Sequence, residues 1–161
     1  MYLVGLGMST KEELQEKYEA FEALLQHKQK EYERLSEFQK EQLDSINGDD
    51  LDKSDTMESP TENLMREVRV EGSNLDKLKE QIEFLEQYKS FQNRDTVGPA
   101  TLVKTNIGNL LVAVPEQEFK AGSKNYTAIS TRSPVYEKLE GKKAGEAVNV
   151  NGQSIQIQSV V

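Results

Sequence analysis

The sequence predicts an α+β fold, in which an N-terminal antiparallel coiled-coil helical hairpin precedes a small antiparallel β domain with one short helix. Two long stretches carry apolar residues on the 4-3 spacing of coiled coils, and a short acid-rich segment joins them. The last third of the chain changes to alternating strand patterns separated by Gly, Asn and Pro. We therefore predict a hairpin domain over residues 8–92, a linker over 93–99 and a β domain over 100–161.

Composition narrows the possible functions. The 161 residues include no Cys and one His, so disulfides, thiolate metal sites and the usual Cys–His or Ser–His catalytic pairs are not expected. No apolar run approaches the ~20 residues that span a bilayer, so we expect a cytoplasmic protein with no membrane partner. The net charge of −8 argues against duplex DNA as a target and favours a basic protein surface or a bound cation.

The first helix is predicted from a capping box, in which Thr10 and Glu13 would each satisfy a free backbone N–H. Met8 could be the first native residue, with residues 1–7 an upstream extension. The helix is predicted to run to about Ile46, which makes a rod of roughly 55 Å. Its apolar stripe consists of Leu14, Tyr18, Phe21, Leu25, Tyr32, Leu35 and Ile46.

The second helix is predicted to begin at Pro60 and to end near Phe91. Its apolar stripe consists of Leu64, Val68, Leu75, Leu78, Ile82 and Leu85, with a weak point at Glu71 beside Gly72. Two stripes of comparable length and a short connection favour an antiparallel hairpin in a monomer. A parallel homodimer would also bury the stripes, but it would leave the end of the first stripe unmatched.

The segment between the helices, residues 44–62, carries most of the net charge. It holds seven carboxylates against Lys53 alone, and Gly48 and Pro60 predict that it is not helical. Crowded carboxylates repel one another until a cation or a basic surface arrives, and Mg²⁺ commonly takes one or two protein carboxylates. An acidic connection between helices can also be only a solvated loop.

The C-terminal part is predicted to contain two hairpins, a further strand and a short helix. The strands are expected over residues 101–105, 109–114, 124–130, 146–150 and 154–161. Asn151-Gly152 is a strong signal for a two-residue turn. Ser133 as N-cap and Pro134 at the first helical position predict the helix, which Gly141 ends.

A longer motif continues from this helix start. Ser133-Pro134 is followed by Leu139-Glu140-Gly141-Lys142-Lys143-Ala144-Gly145-Glu146. This run resembles the S-P-x-x-x-x-L-x-G-K-K-x-G-[DE] segment of the bacterial transcript-cleavage factor family, GreA/GreB. The resemblance implies an FKBP-like C-terminal domain, and it is specific over residues 130–161.

The resemblance also implies a function. Factors of this family are accessory proteins and not enzymes by themselves: they bind bacterial RNA polymerase and insert an acidic coiled-coil tip through its secondary channel. There they assist the Mg²⁺-dependent cleavage of backtracked RNA, so that contact with RNA is limited to its 3′ end. The isolated protein is expected to bind no cofactor, because the Mg²⁺ is shared with the polymerase active site.

The tip departs from the family pattern G-D-x-x-E-N-A-E-Y. Gly48-Asp49 and Asp52 match its G-D and Glu, whereas Lys53 replaces the Asn and the Ala-Glu-Tyr is absent. The resemblance implies Asp49 and Asp52 as ligands of the shared Mg²⁺. The other residues implied are Asp50, Asp55 and Glu58 as further tip acids, and Ser133, Pro134, Lys142 and Lys143 as polymerase-binding residues.

Two alternatives stay open at this point. The divergent tip is compatible with a regulator that occupies the polymerase channel and inhibits without stimulating cleavage, as inhibitory Gre homologues do. The chain could also be a coiled-coil interaction protein unrelated to polymerase. In that case the acids form a solvated connection, and Lys142 and Lys143 are ordinary surface lysines.

Overall fold

The computed structural model describes residues 2–52, 59–91 and 94–161. The fold is α+β, with a long N-terminal helix and a six-stranded mixed sheet. The elements are α1 Tyr2–Asp52, α2 Ser59–Glu86, a 3₁₀ turn Tyr88–Ser90, β1 Leu102–Thr105, β2 Gly108–Val112, β3 Glu116–Ala121, β4 Lys124–Ile129, α3 Pro134–Leu139, β5 Ala147–Val150 and β6 Gln153–Val160.

The chain divides into two compact units. The sheet unit comprises Met1–Leu25 and Phe84–Val161, and the helical unit comprises Gln26–Glu83. The predicted domains over 8–92, 93–99 and 100–161 stay a prediction. Within the sheet unit, Val97 is buried and Thr96 forms an isolated β-bridge with Lys143. None of the helices described is both long and apolar enough to cross a membrane.

The sheet is mixed, so the prediction of an antiparallel sheet was wrong. The strand order is β3-β4-β2-β1-β6-β5, and β2 pairs with β4 in parallel, for example at Leu111 and Ala128. The reason is β3, which the sequence analysis missed. This strand pairs antiparallel with β4 and reverses the chain, so that β4 runs beside β2 in the same direction. β3 lies at a sheet edge and is rich in charged residues, so its sequence lacks the alternation of apolar and polar residues that predicts a strand.

Both predicted hairpins are confirmed, and so is the further strand predicted over residues 124–130, which is β4. β1 and β2 pair antiparallel with Thr105 opposite Gly108, and β5 and β6 pair antiparallel across Asn151-Gly152. The φ angles of Asn151 and Gly152 are 54° and 81°. Positive φ at both turn residues is the requirement of the type I′ turn, which Asn-Gly satisfies at low cost.

One face of the sheet packs against the N-terminal part of α1. Phe21 and Leu24 are fully buried there, together with Tyr88 of the 3₁₀ turn. They meet the sheet residues Leu102, Leu111, Tyr126 and Ala128 in one apolar cluster. Burial of a large apolar side chain contributes roughly 1.5–3 kcal/mol, so this cluster holds α1 on the sheet.

The opposite face of the sheet packs against α3. Tyr136 and Leu139 of this helix are buried with side chains that alternate with those of the first face. Their sheet partners include Val103, Leu110, Val112, Ile155 and Ile157. The sheet therefore lies between α1 on one side and α3 on the other.

The helix bounds differ from the predicted ones. α1 begins at Tyr2 and not at Thr10, and it ends at Asp52, so the residues 44–52 of the acid-rich segment are helical. Gly48 costs only about 1 kcal/mol in a helix, and no Pro interrupts the chain before Pro60. α2 includes Pro60 in its first turn, as predicted, but ends at Glu86. After it, the chain tightens into the 3₁₀ turn, which places Tyr88 against α1.

Candidate functional site

The Gre-like motif begins with a capped helix. The Ser133 side chain accepts a hydrogen bond from the Tyr136 backbone N–H at 3.1 Å, and its φ and ψ are extended as at an N-cap. Pro134 occupies the start of the helix, where its missing N–H is no loss. Both roles match the prediction, and both residues are accounted for by local backbone geometry.

A tight turn follows α3. Gly141 has a φ of 76°, which disfavours any residue with a side chain, and its N–H donates to the Val97 carbonyl at 2.9 Å. The Val97 N–H in turn donates to the Lys142 carbonyl at 2.8 Å. These two bonds fix the turn to the segment that precedes β1.

The second half of the motif closes on itself. The Lys143 N–H donates to Oε2 of Glu146 at 2.8 Å, and the Glu146 N–H donates to the Lys143 carbonyl at 3.1 Å. Gly145, with a φ of 93°, donates its N–H to the Ile157 carbonyl. The glycines and Glu146 thus shape the turn. Lys143 is exposed and Lys142 is half-buried, so the Lys143 side chain is available to a partner.

Beneath this surface, Tyr136 anchors α3 to the sheet. Its ring is buried in the second apolar cluster, and its hydroxyl donates to Oε2 of Glu140 at 3.2 Å. Burial, the hydrogen bond and the Glu140 charge raise the pKa of Tyr136. The buried ring, and not this hydrogen bond within the helix, holds α3 on the sheet.

The predicted acidic residues are only partly described. The backbone of Asp49, Asp50 and Asp52 belongs to the end of α1, and their side chains lie outside the described part of the structure. Asp55 and Glu58 lie outside the described residues altogether. The acids fall in the helical unit or outside the description, whereas Ser133, Pro134, Lys142 and Lys143 fall together in the sheet unit.

Glu16 of α1 binds two lysines of the sheet. Its Oε1 lies 3.0 Å from Nζ of Lys104, and its Oε2 lies 2.7 Å from Nζ of Lys124. Burial alone would raise the pKa of Glu16, but the hydrogen bonds and charges of the two lysines outweigh it and lower the pKa. The ion-pair group fixes the register between α1 and strands β1 and β4.

An aromatic group continues this contact toward the end of α2. The rings of Phe21 and Tyr88 stack at 4.3 Å between centroids, with 3° between their planes. Nζ of Lys89 lies 5.7 Å from the Tyr88 centroid and 5.9 Å from that of Tyr18. The Tyr88 hydroxyl donates to Glu22 at 3.2 Å, and burial, together with this carboxylate, raises the Tyr88 pKa to about 12.

Lys17 of α1 is unusual for a lysine because it is only 2 % exposed. Burial lowers its pKa to about 8, since the charged ammonium is poorly solvated there. Sequence reasoning missed both Lys17 and Glu16. Glu16 is 88 residues from Lys104 and 108 from Lys124, and no local pattern reports a pairing at that separation.

In the helical unit, residues of α1 and α2 lie side by side. A cavity of about 380 Å³ is lined by Gln29, Tyr32 and Glu33 of α1 and by Lys79 and Ile82 of α2. Further along, a Cβ placed on Gly72 would lie 3.2 Å from Nε2 of Gln39. The glycine that weakens the apolar stripe of α2 therefore makes room for a side chain of α1.

Comparison with known proteins gives few matches. No protein-family model and no curated protein matches the chain. The solved structure of GreA factor homolog 1 (Gfh1) of Thermus thermophilus is similar at 14% identity, over 85% of this chain and 94% of that chain, with a TM-score of 0.32. A structure of the transcription factor Gfh1 is similar at 15% identity, over 84% and 92% of the two chains, with a TM-score of 0.31.

Proposed function

We propose that this protein is a Gre-like transcription factor of the cytoplasm. It binds bacterial RNA polymerase through the surface around Ser133–Glu146 and inserts an acidic coiled-coil tip through the secondary channel. There, Asp49 and Asp52 help to hold an Mg²⁺ shared with the polymerase, and the polymerase cleaves backtracked RNA. The protein has no catalytic activity of its own and acts as a monomer.

The observation that carries the proposal is the geometry of the Gre-like motif. Four residues that define the motif have a structural role: Ser133 caps α3, the two glycines take positive φ, and Glu146 closes the turn. A chance match in sequence would not require all of these positions to be used together. The turn presents Lys143 to solvent, where a basic side chain can contact an acidic surface of a partner.

The arrangement of the helices supports a coiled-coil hairpin. Tyr32 shares a cavity with Lys79, and Gln39 lies beside Gly72. A step of seven residues forward along α1 thus corresponds to a step of seven residues backward along α2, which is antiparallel pairing. Leu75 and Leu78 of α2 are buried, as expected for the apolar stripe of such a pair.

The chemistry of the tip acids fits the proposed metal. Carboxylate oxygens are the hard ligands that Mg²⁺ prefers, and one or two of them leave the remaining positions of its octahedron for water and phosphate oxygens. A metal held in this way polarises a water and stabilises charge on the cleaved phosphodiester. The role of Asp49 and Asp52 is to complete a metal site that the polymerase supplies only in part.

The proposal is tested with backtracked elongation complexes of the polymerase from the source organism. Wild-type protein is expected to shorten the RNA at its 3′ end. In the double variant Asp49→Ala/Asp52→Ala, the rate of this shortening is expected to fall about tenfold or more. The matched control is Asp76→Ala/Glu80→Ala, which removes two exposed carboxylates from α2. Equal loss in both variants would show that net charge, and not the tip, matters.

Docking is tested in the same system by polymerase affinity. Lys143→Ala is expected to weaken binding about three- to tenfold and to reduce its salt dependence, because an exposed charge at an interface steers association. Lys120→Ala removes an exposed lysine from β3 and serves as the control. Undiminished binding by Lys143→Ala would remove this surface from the proposal.

The departure of the tip from the family pattern favours a second candidate. Lys53 stands where the family has Asn, and the acids continue to Glu58 and beyond. A tip of this kind could occupy the channel and inhibit nucleotide addition without stimulating cleavage. Slower nucleotide addition by wild type, with no shortening of RNA, would select this function.

A further inference from the structure

The outer edge of β3 is open to another chain. The strand order places β3 at one end of the sheet, and none of the strands described pairs with its outer side. Gln117, Glu118 and Lys120 are exposed, and Phe119 between them is half-buried. An edge strand presents a row of backbone N–H and C=O groups that can pair with a further strand. The side chains along the edge then decide which strand can pair.

The contact of β3 with β4 indicates which backbone groups point outward. Lys120 of β3 lies opposite Asn125 of β4. The Asn125 carbonyl accepts a hydrogen bond from the side chain of Asn109 on β2 at 3.3 Å, so it points away from β3. Two opposed residues of an antiparallel pair exchange both of their hydrogen bonds or neither. Lys120 therefore directs its N–H and C=O outward, and by alternation we expect the same of Glu118, whereas Phe119 directs its groups toward β4.

The charges on this edge are complementary to themselves. Glu118 and Lys120 are two residues apart, so their side chains lie on one face of the sheet, opposite to that of Phe119. If two copies of β3 pair antiparallel with Phe119 opposite Phe119, Glu118 of each copy lies opposite Lys120 of the other. Opposed side chains have Cβ atoms roughly 5 Å apart, so both of these pairs attract. The same two residues also supply the outward backbone groups.

The charges also disfavour the neighbouring arrangements. Antiparallel pairing centred on Lys120 would place two lysines opposite each other, and pairing centred on Glu118 would do the same with two glutamates. Parallel pairing in register would set like charges side by side at both positions. Like charges directly opposite each other are destabilising in a sheet. The edge is thus selective for one orientation and one register of a second copy.

We propose that β3 pairs antiparallel with β3 of a second copy, centred on Phe119, to form a weak two-fold symmetric dimer. Each copy contributes the same surface, so the pairing occupies this edge on both copies and closes. The register shift between Glu116 and Phe119 limits the regular edge to a few residues, which keeps the interface small and the dimer weak. The dimer concerns the free protein and does not rest on the function proposed above, in which one copy acts at the polymerase.

The test is sedimentation velocity of the full chain from micromolar to millimolar concentration. A salt concentration of about 0.15 M, with a Debye length of about 8 Å, screens the long-range repulsion of two acidic chains more than it screens opposed side chains. Wild type is expected to dimerise as its concentration rises. Glu118→Lys and Lys120→Glu should each weaken the dimer about tenfold or more, because each makes both opposed pairs like-charged.

Two further samples separate the pairing from net charge. An equimolar mixture of the two single variants should form a heterodimer, because every opposed pair in it again joins opposite charges. The double variant Glu118→Lys/Lys120→Glu keeps the net charge of −8 and should dimerise like wild type. The matched controls are Glu80→Lys and Lys77→Glu, which make the same changes of charge at exposed positions of α2 and should leave dimerisation unchanged.

Hydrogen exchange locates the interface. The amides of Glu118 and Lys120 should become protected as the protein concentration rises, whereas the amide of Phe119 should be protected at every concentration. Dimerisation that both single reversals leave unchanged, or a mixture that does not recover it, would overturn the proposal. Wild type that stays monomeric at millimolar concentration would also overturn it, and would leave the edge to a strand of a different protein.

Discussion

Two segments of α1 are stabilised in different ways, although they belong to one continuous helix. In residues 11–25, Ala20, Phe21 and Leu24 are fully buried against the sheet. In residues 26–45, all of which are described, Lys28 is the one buried residue, and Phe38 and Leu43 are 45% and 41% exposed. The first segment is therefore part of a packed core, and the second has only a narrow buried stripe.

This difference indicates which segment of α1 unfolds locally at the lower free energy. Segments with few buried apolar contacts open locally at a lower free energy than segments in a core. Residues 26–45 are expected to exchange amide hydrogens faster than residues 11–25, since the pairing with α2 protects them less than the sheet protects the first segment.

The largest expected effect contrasts one leucine from each segment. Leu24→Ala leaves a cavity in the core and should lower the free energy of unfolding by about 3 kcal/mol, whereas Leu43→Ala removes a side chain that is already 41% exposed and should cost less than about 1 kcal/mol. Urea unfolding followed by circular dichroism measures both, with hydrogen exchange to assign the loss to each unit. Similar costs for the two variants would contradict the comparison.

A smaller effect comes from Lys17, which is buried in the first segment. Its folded pKa of about 8 lies below the usual value of 10.5, so the unfolded state binds more protons between these pH values. The stability of wild type should therefore rise relative to Lys17→Met by about 2 kcal/mol between pH 8 and 10. Urea unfolding at several pH values measures this difference. Lys30→Met, at an exposed position of the second segment, controls for the loss of one charge, and a flat difference for Lys17→Met would refute the prediction.

The smallest effect concerns Glu16 and its two lysines. Glu16→Gln should destabilise the sheet unit by about 1–2 kcal/mol at neutral pH, because it weakens charge-assisted hydrogen bonds in a mostly buried position. The folded pKa of Glu16 is lowered, so the wild-type advantage is present above the ordinary glutamate pKa and disappears as the pH falls through the lowered one. Unfolding at pH 7 and pH 3 measures it, with Glu37→Gln as the exposed control. An advantage that is as large at pH 3 as at pH 7 would argue against the ion pairs.

The local parts of the fold could be predicted from the sequence. Asn151-Gly152, the Ser133 cap and the turn after Thr105 each depend on a few adjacent residues, and each is confirmed. The parallel pairing of β2 with β4 could not be predicted, because it depends on β3, whose charged edge positions lack an alternating pattern. The end of α1 was missed for a different reason, since Gly48 weakens a helix without ending it.

The candidate site, too, could be predicted only where its residues are close together in the sequence. The motif from Ser133 to Glu146 could be found because its residues are close in sequence and its glycines have a geometric reason. The contact of Glu16 with Lys104 and Lys124 could not be found, because only the packing of α1 on the sheet brings these residues together. The roles assigned to Asp49 and Asp52 remain a prediction.

The packing of residues 11–25 on the sheet also has a consequence for biosynthesis. Roughly 80 residues separate Phe21 from β1, and at about 5–20 residues per second a ribosome needs about 4–16 seconds to make them. During this interval, the apolar face of the nascent helix has no strands to cover it. The first and last parts of the chain therefore fold at the same time. A chaperone that shields amphipathic helices on the ribosome would protect the protein while this apolar face is uncovered.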